Sequence, residues 1–66
     1  MEREEIIVEE LQQALDCASF AESHLRRTLT HASPVLGLTV TQYLVHAVEL
    51  KQQLSELLRA VNLEKQ

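Results

Sequence analysis

The chain has 66 residues and a net charge of −4, and 45% of its residues are hydrophobic. This length excludes more than one small domain and most catalytic scaffolds, while the hydrophobic fraction is too high for a disordered tail. With one Gly, one Pro and one Cys, and with Ala, Leu, Glu and Gln prominent, the composition favours helices over a sheet, a disulfide scaffold or a structural zinc finger.

The charge pattern argues against several classes of partner. Ten acidic residues outnumber six basic ones, and the basic residues adjoin only at Arg26 and Arg27. Nucleic acids and anionic membranes both require a basic surface. No apolar run approaches the roughly 20 residues that span a bilayer, and the acidic residues 1–5 do not resemble a signal peptide. We expect a cytoplasmic protein with no nucleic acid, membrane, cofactor or small-molecule partner.

The first predicted helix covers about residues 4–32, which contain no Gly or Pro. Its apolar residues recur at heptad-like intervals of four and three, which predicts a seam facing a second helix. The predicted seam consists of Ile7, Leu11, Ala14, Ala18, Ala21 and Leu25.

A hinge is predicted at residues 33–38, where Pro34 disfavours helical geometry at Ser33 and Gly37 can take a positive φ. The second helix is predicted over about residues 39–62. Its start has the pattern of a capping box, with Thr39 as the N-cap and Gln42 as its partner. Its apolar stripe contains Tyr43, Leu44, Ala47, Leu50, Leu54, Leu57, Leu58 and Val61.

These elements predict an all-α fold, an antiparallel two-helix hairpin that forms one domain over residues 1–66. Each apolar stripe is wider than one facing helix can cover. A dimeric four-helix bundle or a different protein would cover the remainder. The residues expected to make the hydrophobic contact are Leu11, Ala18, Leu25, Leu29, Tyr43, Leu50, Leu54 and Leu58.

Phe20 projects almost opposite the predicted seam, with Ile6 and Cys17 on the same side of the helix. It is either an isolated exposed apolar side chain, which is common on protein surfaces, or the mark of a second contact surface. We place it among the interaction residues.

Few residues suggest chemistry. Cys17, His24 and His31 recur every seven residues, a step of about 10.5 Å, whereas ligands of one metal need spacings of three or four on a helix. No positive group activates Cys17 as a nucleophile. We therefore predict no metal site, and His46 on the second helix does not change this.

Glu22 lies inside the apolar stripe, where a carboxylate requires a partner. Arg26 and Lys51 are both within reach of it. The favoured interpretation is a salt bridge at the edge of the stripe, and the alternative is a polar contact that sets register or meets a partner's charge.

Residues 22–54 resemble the helical-hairpin family of sporulation aspartyl-phosphate phosphatases. The likeness lies in His24-Leu25-Arg26, Gly37-Leu38-Thr39, Leu44 and Glu49-Leu50. It implies a protein that acts on a phosphorylated response regulator. The family's Ser-Gln-Glu-Leu-Asp signature corresponds here to Ala47-Val48-Glu49-Leu50-Lys51, which lacks the serine and the aspartate. The resemblance therefore implies binding without dephosphorylation, with Glu49 as the remaining candidate acid.

The chain is also similar to the small co-chaperones of type III secretion that hold the needle subunit before export. Those proteins are hairpins of this length, and their second helix often begins with Gln-Tyr, as in Gln42-Tyr43. This resemblance implies a helical protein partner.

The function we predict is that of a non-enzymatic helical interaction protein, a regulator or chaperone-like adaptor that binds itself or a protein partner. The alternatives are a response-regulator phosphatase-like protein and a secretion co-chaperone.

Overall fold

A computed structural model describes residues 2–64 of the chain. Helix α1 spans Glu2–His31 and helix α2 spans Pro34–Glu64, and the two helices pack against each other along their length. The prediction of an all-helical, two-helix hairpin is confirmed. The predicted domain of residues 1–66 also includes residues 1, 65 and 66, which lie outside the described part.

Two rows of residues line the contact between the helices, and we call them the seam. Every residue between 3 and 64 that is not exposed belongs to the seam, apart from Ala14 and Ser19. The spacing in both rows alternates between three and four, the heptad spacing of helices packed side by side. On α1 the seam consists of Val8, Leu11, Leu15, Ala18, Glu22, Leu25 and Leu29, and Ala32, just after the end of α1, continues it. On α2 it consists of Gly37, Val40, Leu44, Ala47, Lys51, Leu54, Leu58 and Val61.

At every second position, the seam residue of α1 is the residue that follows the predicted one in the chain. Ile7 and Ala21 were assigned to the seam but are exposed, and Ala14 is only half-buried. The seam positions beside Ile7 and Ala21 are Val8 and Glu22. At Ala21 the sequence pattern prefers an apolar residue to the carboxylate of Glu22, whereas Ile7 and Val8 are both apolar and the pattern does not distinguish them.

On α2 the predicted contact stripe also includes residues that immediately precede the seam residues. Tyr43, Leu50 and Leu57 were included in the contact stripe, yet all three side chains are about half exposed. The seam position next to Leu50 is occupied by Lys51. A charged pair therefore replaces apolar residues in one layer of the contact.

The core of the hairpin is small. Among residues 3–64, the buried side chains are Ala18, Val40 and Ala47. The two alanines lie near the middle of their helices, where a methyl group lets a facing helix approach closely. A core of this size supplies little stability once the conformational entropy of 66 residues is counted.

One ion pair fixes how the two helices are aligned. Lys51 Nζ lies 3.0 Å from Glu22 Oε1. In an antiparallel pair, residues before Glu22 on α1 lie level with residues after Lys51 on α2, and the reverse. Ala18 is therefore level with Leu54, and Ala47 is level with Leu25. A small residue thus faces a larger one on both sides of the pair.

The connection between the helices is shorter than predicted, because α2 begins at Pro34 and leaves only Ala32 and Ser33 outside the helices. The Leu36 amide donates a hydrogen bond to Ser33 Oγ at 3.3 Å, and the Gly37 amide donates one to the Ser33 carbonyl at 2.7 Å. Ser33 is therefore the N-cap of α2. Proline suits the first helical position since its φ is already helical and its missing N–H would be unpaired there.

The predicted hinge at residues 33–38 and the predicted capping box at Thr39 are therefore wrong. Thr39 and Gln42 lie inside α2, and no glycine in the described part of the chain has a positive φ. A Cβ built at Gly37 would make an ordinary van der Waals contact with Leu29 Cδ2 at 3.9 Å, so the packing at the hairpin end leaves room for a small side chain there.

The two candidate start points of α2 can be compared by mutation. We expect Ser33→Ala to lower the free energy of unfolding by about 1 kcal/mol, because the Leu36 amide loses its acceptor. Thr39→Ala should leave stability within about 0.5 kcal/mol, as expected for an exposed helical position. Urea unfolding followed by circular dichroism measures both. A larger loss for Thr39→Ala than for Ser33→Ala would contradict a start at Pro34.

Candidate protein-binding surface

The hairpin has an apolar side, formed by two rows of residues that each immediately precede a seam residue. A rotation of 100° per residue places them beside the seam, and in an antiparallel pair the two rows lie on the same side. We call this side the apolar face. It consists of Ile7, Ala14, Ala21 and Thr28 on α1, and of Leu36, Tyr43, Leu50 and Leu57 on α2.

The eight residues of the apolar face are uncharged, and its large side chains are open to solvent. Glu64 continues the α2 row one heptad further, level with Ile7. Leu50 is 47% exposed, and Leu36, Tyr43 and Leu57 are exposed to a similar degree. Large exposed apolar surfaces are rare on soluble monomers and mark sites of contact. The four large residues stand seven apart on α2, so they form one continuous stripe.

The opposite side of the hairpin is polar, except at Val48. It is formed by residues that come directly after a seam residue in the chain and lie on the flank away from the apolar face. These residues are Gln12, Ser19 and Arg26 on α1, and Thr41, Val48, Ser55 and Asn62 on α2. The two flanks of the seam therefore differ in polarity. Other exposed large hydrophobic residues are spread over the remaining surface of the described chain, namely Ile6, Phe20, Val35, Leu38, Val45, Val48 and Leu63.

The structure separates the predicted interaction residues into three groups. Tyr43 and Leu50 lie on the apolar face, and Phe20 lies on the outer surface of α1. The others lie in the seam between the helices and are half-buried or buried, namely Leu11, Ala18, Leu25, Leu29, Leu54 and Leu58. The seam residues hold the hairpin together, and the apolar face is what remains open to another molecule.

Ile7, Ala14 and Ala21 belong to the predicted seam, and Leu36 belongs to the predicted hinge. In each helix the seam and the apolar face contain adjacent heptad rows, and charge distinguishes the two rows. In each helix, one row contains a charged residue that finds its partner across the seam. The neighbouring row contains no charge and finds no such partner.

Phe20 is 68% exposed and stacks on the His24 ring, with centroids 6.4 Å apart and planes inclined by 20°. It borders a shallow, open depression together with Asp16, Ser19 and Ser23. Ile6 is 14 residues away, or about 21 Å along the helix, so it does not join this patch. The second contact surface expected at Phe20 stays a prediction.

Glu22 is paired with both of its predicted partners. Lys51 Nζ donates a hydrogen bond to Oε1 at 3.0 Å, and Arg26 Nε donates one to Oε2 at 3.0 Å. The Glu22 side chain is 17% exposed, whereas Arg26 lies mostly in solvent. The hydrogen bond from Lys51, then that from Arg26, holds the pKa of Glu22 below its ordinary value.

This pair explains how a carboxylate occupies the seam, and it supports the register that the two-residue connection imposes. Sliding one helix by seven residues would leave Glu22 level with Leu44 or Leu58 and would leave Lys51 level with Leu15 or Leu29. A charge without its partner in that position loses its compensation, which disfavours the shifted hairpin.

The side chains considered for chemistry do not converge. Cys17, His24, His31 and His46 are exposed, and no three His, Cys, Asp or Glu side chains within the described residues gather as a metal site. Glu49, the acid of the phosphatase interpretation, lies in an open depression lined by Gln52, Gln53 and Glu56.

Neither of the two helices, over the residues that the structure describes, has the length and apolarity that crossing a membrane requires.

Comparison with protein-family models, with curated proteins and with solved structures found no match. The two family resemblances therefore rest on the quoted residues alone.

The Glu22 interactions predict a pH dependence of stability. Because the pKa is lowered in the folded chain, the stabilisation is complete above the unfolded-state pKa of about 4.3. It is then lost as the pH falls through the lower folded-state value. We expect Glu22→Gln to unfold at a lower temperature than the unmodified chain at pH 7 and to show a smaller decrease in Tm on acidification.

Thermal unfolding between about pH 3 and pH 7 measures this difference. Glu49→Gln, which removes an exposed acid from the same protein, is the matched control and should follow the unmodified chain. An acid dependence of Glu22→Gln that equals that of the control would contradict the role assigned to the pair.

Proposed function

We propose that this chain is a non-enzymatic helical interaction protein, a cytoplasmic regulator or chaperone-like adaptor. In this proposal it binds a second set of helices through its apolar face and so completes a four-helix arrangement. The observation that carries the proposal is the uncharged stripe of half-exposed Leu36, Tyr43, Leu50 and Leu57 along one side of the hairpin.

The energetics of the hairpin support the proposal. With only Ala18, Val40 and Ala47 buried among the described residues 3–64, hydrophobic burial within one chain is slight. Complete burial of a leucine contributes about 1.5–3 kcal/mol, and because Leu36, Leu50 and Leu57 are already about half covered, each would add roughly half of that. The same contact would then serve both stability and binding.

The shape of the hairpin also supports binding over catalysis. Over the described residues, the two helices form shallow, open depressions, such as those beside Phe20 and Glu49. A site for a small substrate is normally enclosed, with a few convergent polar groups. A flat apolar stripe suits the packing of another helix.

Substitution on the apolar face tests the proposal. We expect Leu50→Glu to abolish capture of helical partners by a tagged chain, including its own untagged copy, because a buried carboxylate would lack a counter-ion. Val45→Glu is the matched control, since Val45 is 48% exposed, against 47% for Leu50, but lies outside both the seam and the apolar face.

Capture from a lysate of the native host, with mass spectrometry of the bound proteins, compares the three baits. Circular dichroism should show the same helix content for both variants, and Leu57→Glu repeats the test one heptad further along. If the three baits retain the same proteins, or if none retains any, the apolar face is not a binding surface.

A further inference from the structure

The two rows of the apolar face differ in size in a regular way. On α1 the row contains the small residues Ala14, Ala21 and Thr28 after Ile7, and on α2 it contains only large residues. At the three levels of Ala14, Ala21 and Thr28, therefore, a small side chain lies beside a large one, whereas Ile7 lies level with Glu64. Ala21 is level with the Leu50 layer of the other helix, in the register that the Glu22–Lys51 pair fixes.

A surface of this kind fits a second copy of itself. Rotating one hairpin by 180° about an axis parallel to the helices lays the small row of each copy over the large row of the other. Each layer then contains two small and two large side chains on alternating corners. All neighbouring helices can lie at the usual interaxial distance of about 8–10 Å.

The alternative rotation, about an axis perpendicular to the helices, gives a poorer fit. It places the small row of α1 on the small row of the other copy and the large row of α2 on the large row. The two α1 helices would approach closely while the two α2 helices were held apart. Close packing along the whole length is then lost.

The available area is sufficient for a stable dimer. The hairpin extends 49 Å by 14 Å between Cα atoms. The product of these two lengths is roughly 690 Å² per copy, or roughly 1,400 Å² for the pair, within the about 1,200–2,000 Å² that specific interfaces bury. The absence of charge on the face also removes electrostatic repulsion at the centre of the contact, where two chains of net charge −4 meet.

From these observations we infer that the partner covering the apolar face is a second copy of this chain, packed with both hairpin connections at the same end of a four-helix bundle. The inference rests on the proposed function, since it names the partner of the same face. It adds the identity of that partner and the direction in which it packs.

Distances between spin labels test the direction of packing. Val35 is suited for labelling because it is 79% exposed, lies next to the connection and belongs to neither the seam nor the apolar face. In Cys17→Ser/Val35→Cys, the two labels of a dimer should lie within roughly 35 Å, the width of a bundle whose helices are about 10 Å apart. In the reversed arrangement they would lie about 49 Å apart, the length of the hairpin.

A mixed sample gives the reciprocal reading. When one variant has a label at Val35→Cys and the other a spectroscopically distinct label at Leu63→Cys, near the opposite end, the distance between unlike labels should be the long one. Sedimentation equilibrium of the unlabelled chain establishes the dimer, and Leu50→Glu should raise its dissociation constant at least tenfold while Val45→Glu changes it less than threefold.

The outcomes separate this inference from the proposed function. A dimer with the short Val35 distance supports both. A dimer with the long distance overturns the packing direction and leaves the proposed function standing. A folded monomer at micromolar concentrations overturns the second copy as the partner, and the capture experiment with Leu50→Glu then decides whether the face binds a different protein.

Discussion

The contact between Glu22 and Lys51 determines which residues the hairpin can bury. It joins two charged residues in the middle of the seam at 3.0 Å and so fixes the level at which the helices pack. Once this level is fixed, the heptad spacing assigns every other residue to the seam, to one of its flanks or to the outer surface. The apolar face is a consequence of the same choice, since Ala21 and Leu50 immediately precede the charged pair and are left on one side. The short connection and this electrostatic contact favour the same alignment, and that alignment decides which side chains stay on the surface.

The remaining apolar surface links folding to binding. Ala18 and Ala47 let the helices approach closely, but their methyl groups add little buried area. The larger residues that would normally stabilise a domain are divided between the seam and the apolar face, where they stay half exposed. Packing a second hairpin against this face would convert a marginal two-helix unit into a four-helix bundle with a continuous core. In that assembly, the small residues on α1 of one copy would pack against the large residues on α2 of the other, as complementary side chains do in a single-chain core.

The two-helix fold follows from the sequence, because periodic apolar residues over long segments without Gly or Pro have few other solutions. The partners of Glu22 were also predictable, since Arg26 lies one turn away and Lys51 projects toward the same stripe. The start of α2 was not, because Ser33-Pro34 is a strong N-terminal signal that competes with a plausible capping box at Thr39. The division between the seam and the apolar face was missed for a different reason. Both rows are largely apolar, and only the interhelical register tells which of two adjacent rows faces inward.

The stability of this chain is expected to depend on covering the apolar face with another copy. Thermal unfolding followed at protein concentrations from about 2 to about 200 μM tests this claim most directly, because a transition coupled to dissociation depends on concentration. We expect Tm to rise by about 10 °C over this range, given the usual enthalpy of unfolding per residue for two chains of 66 residues. A cooperative transition whose Tm is the same at both ends of the range would contradict it.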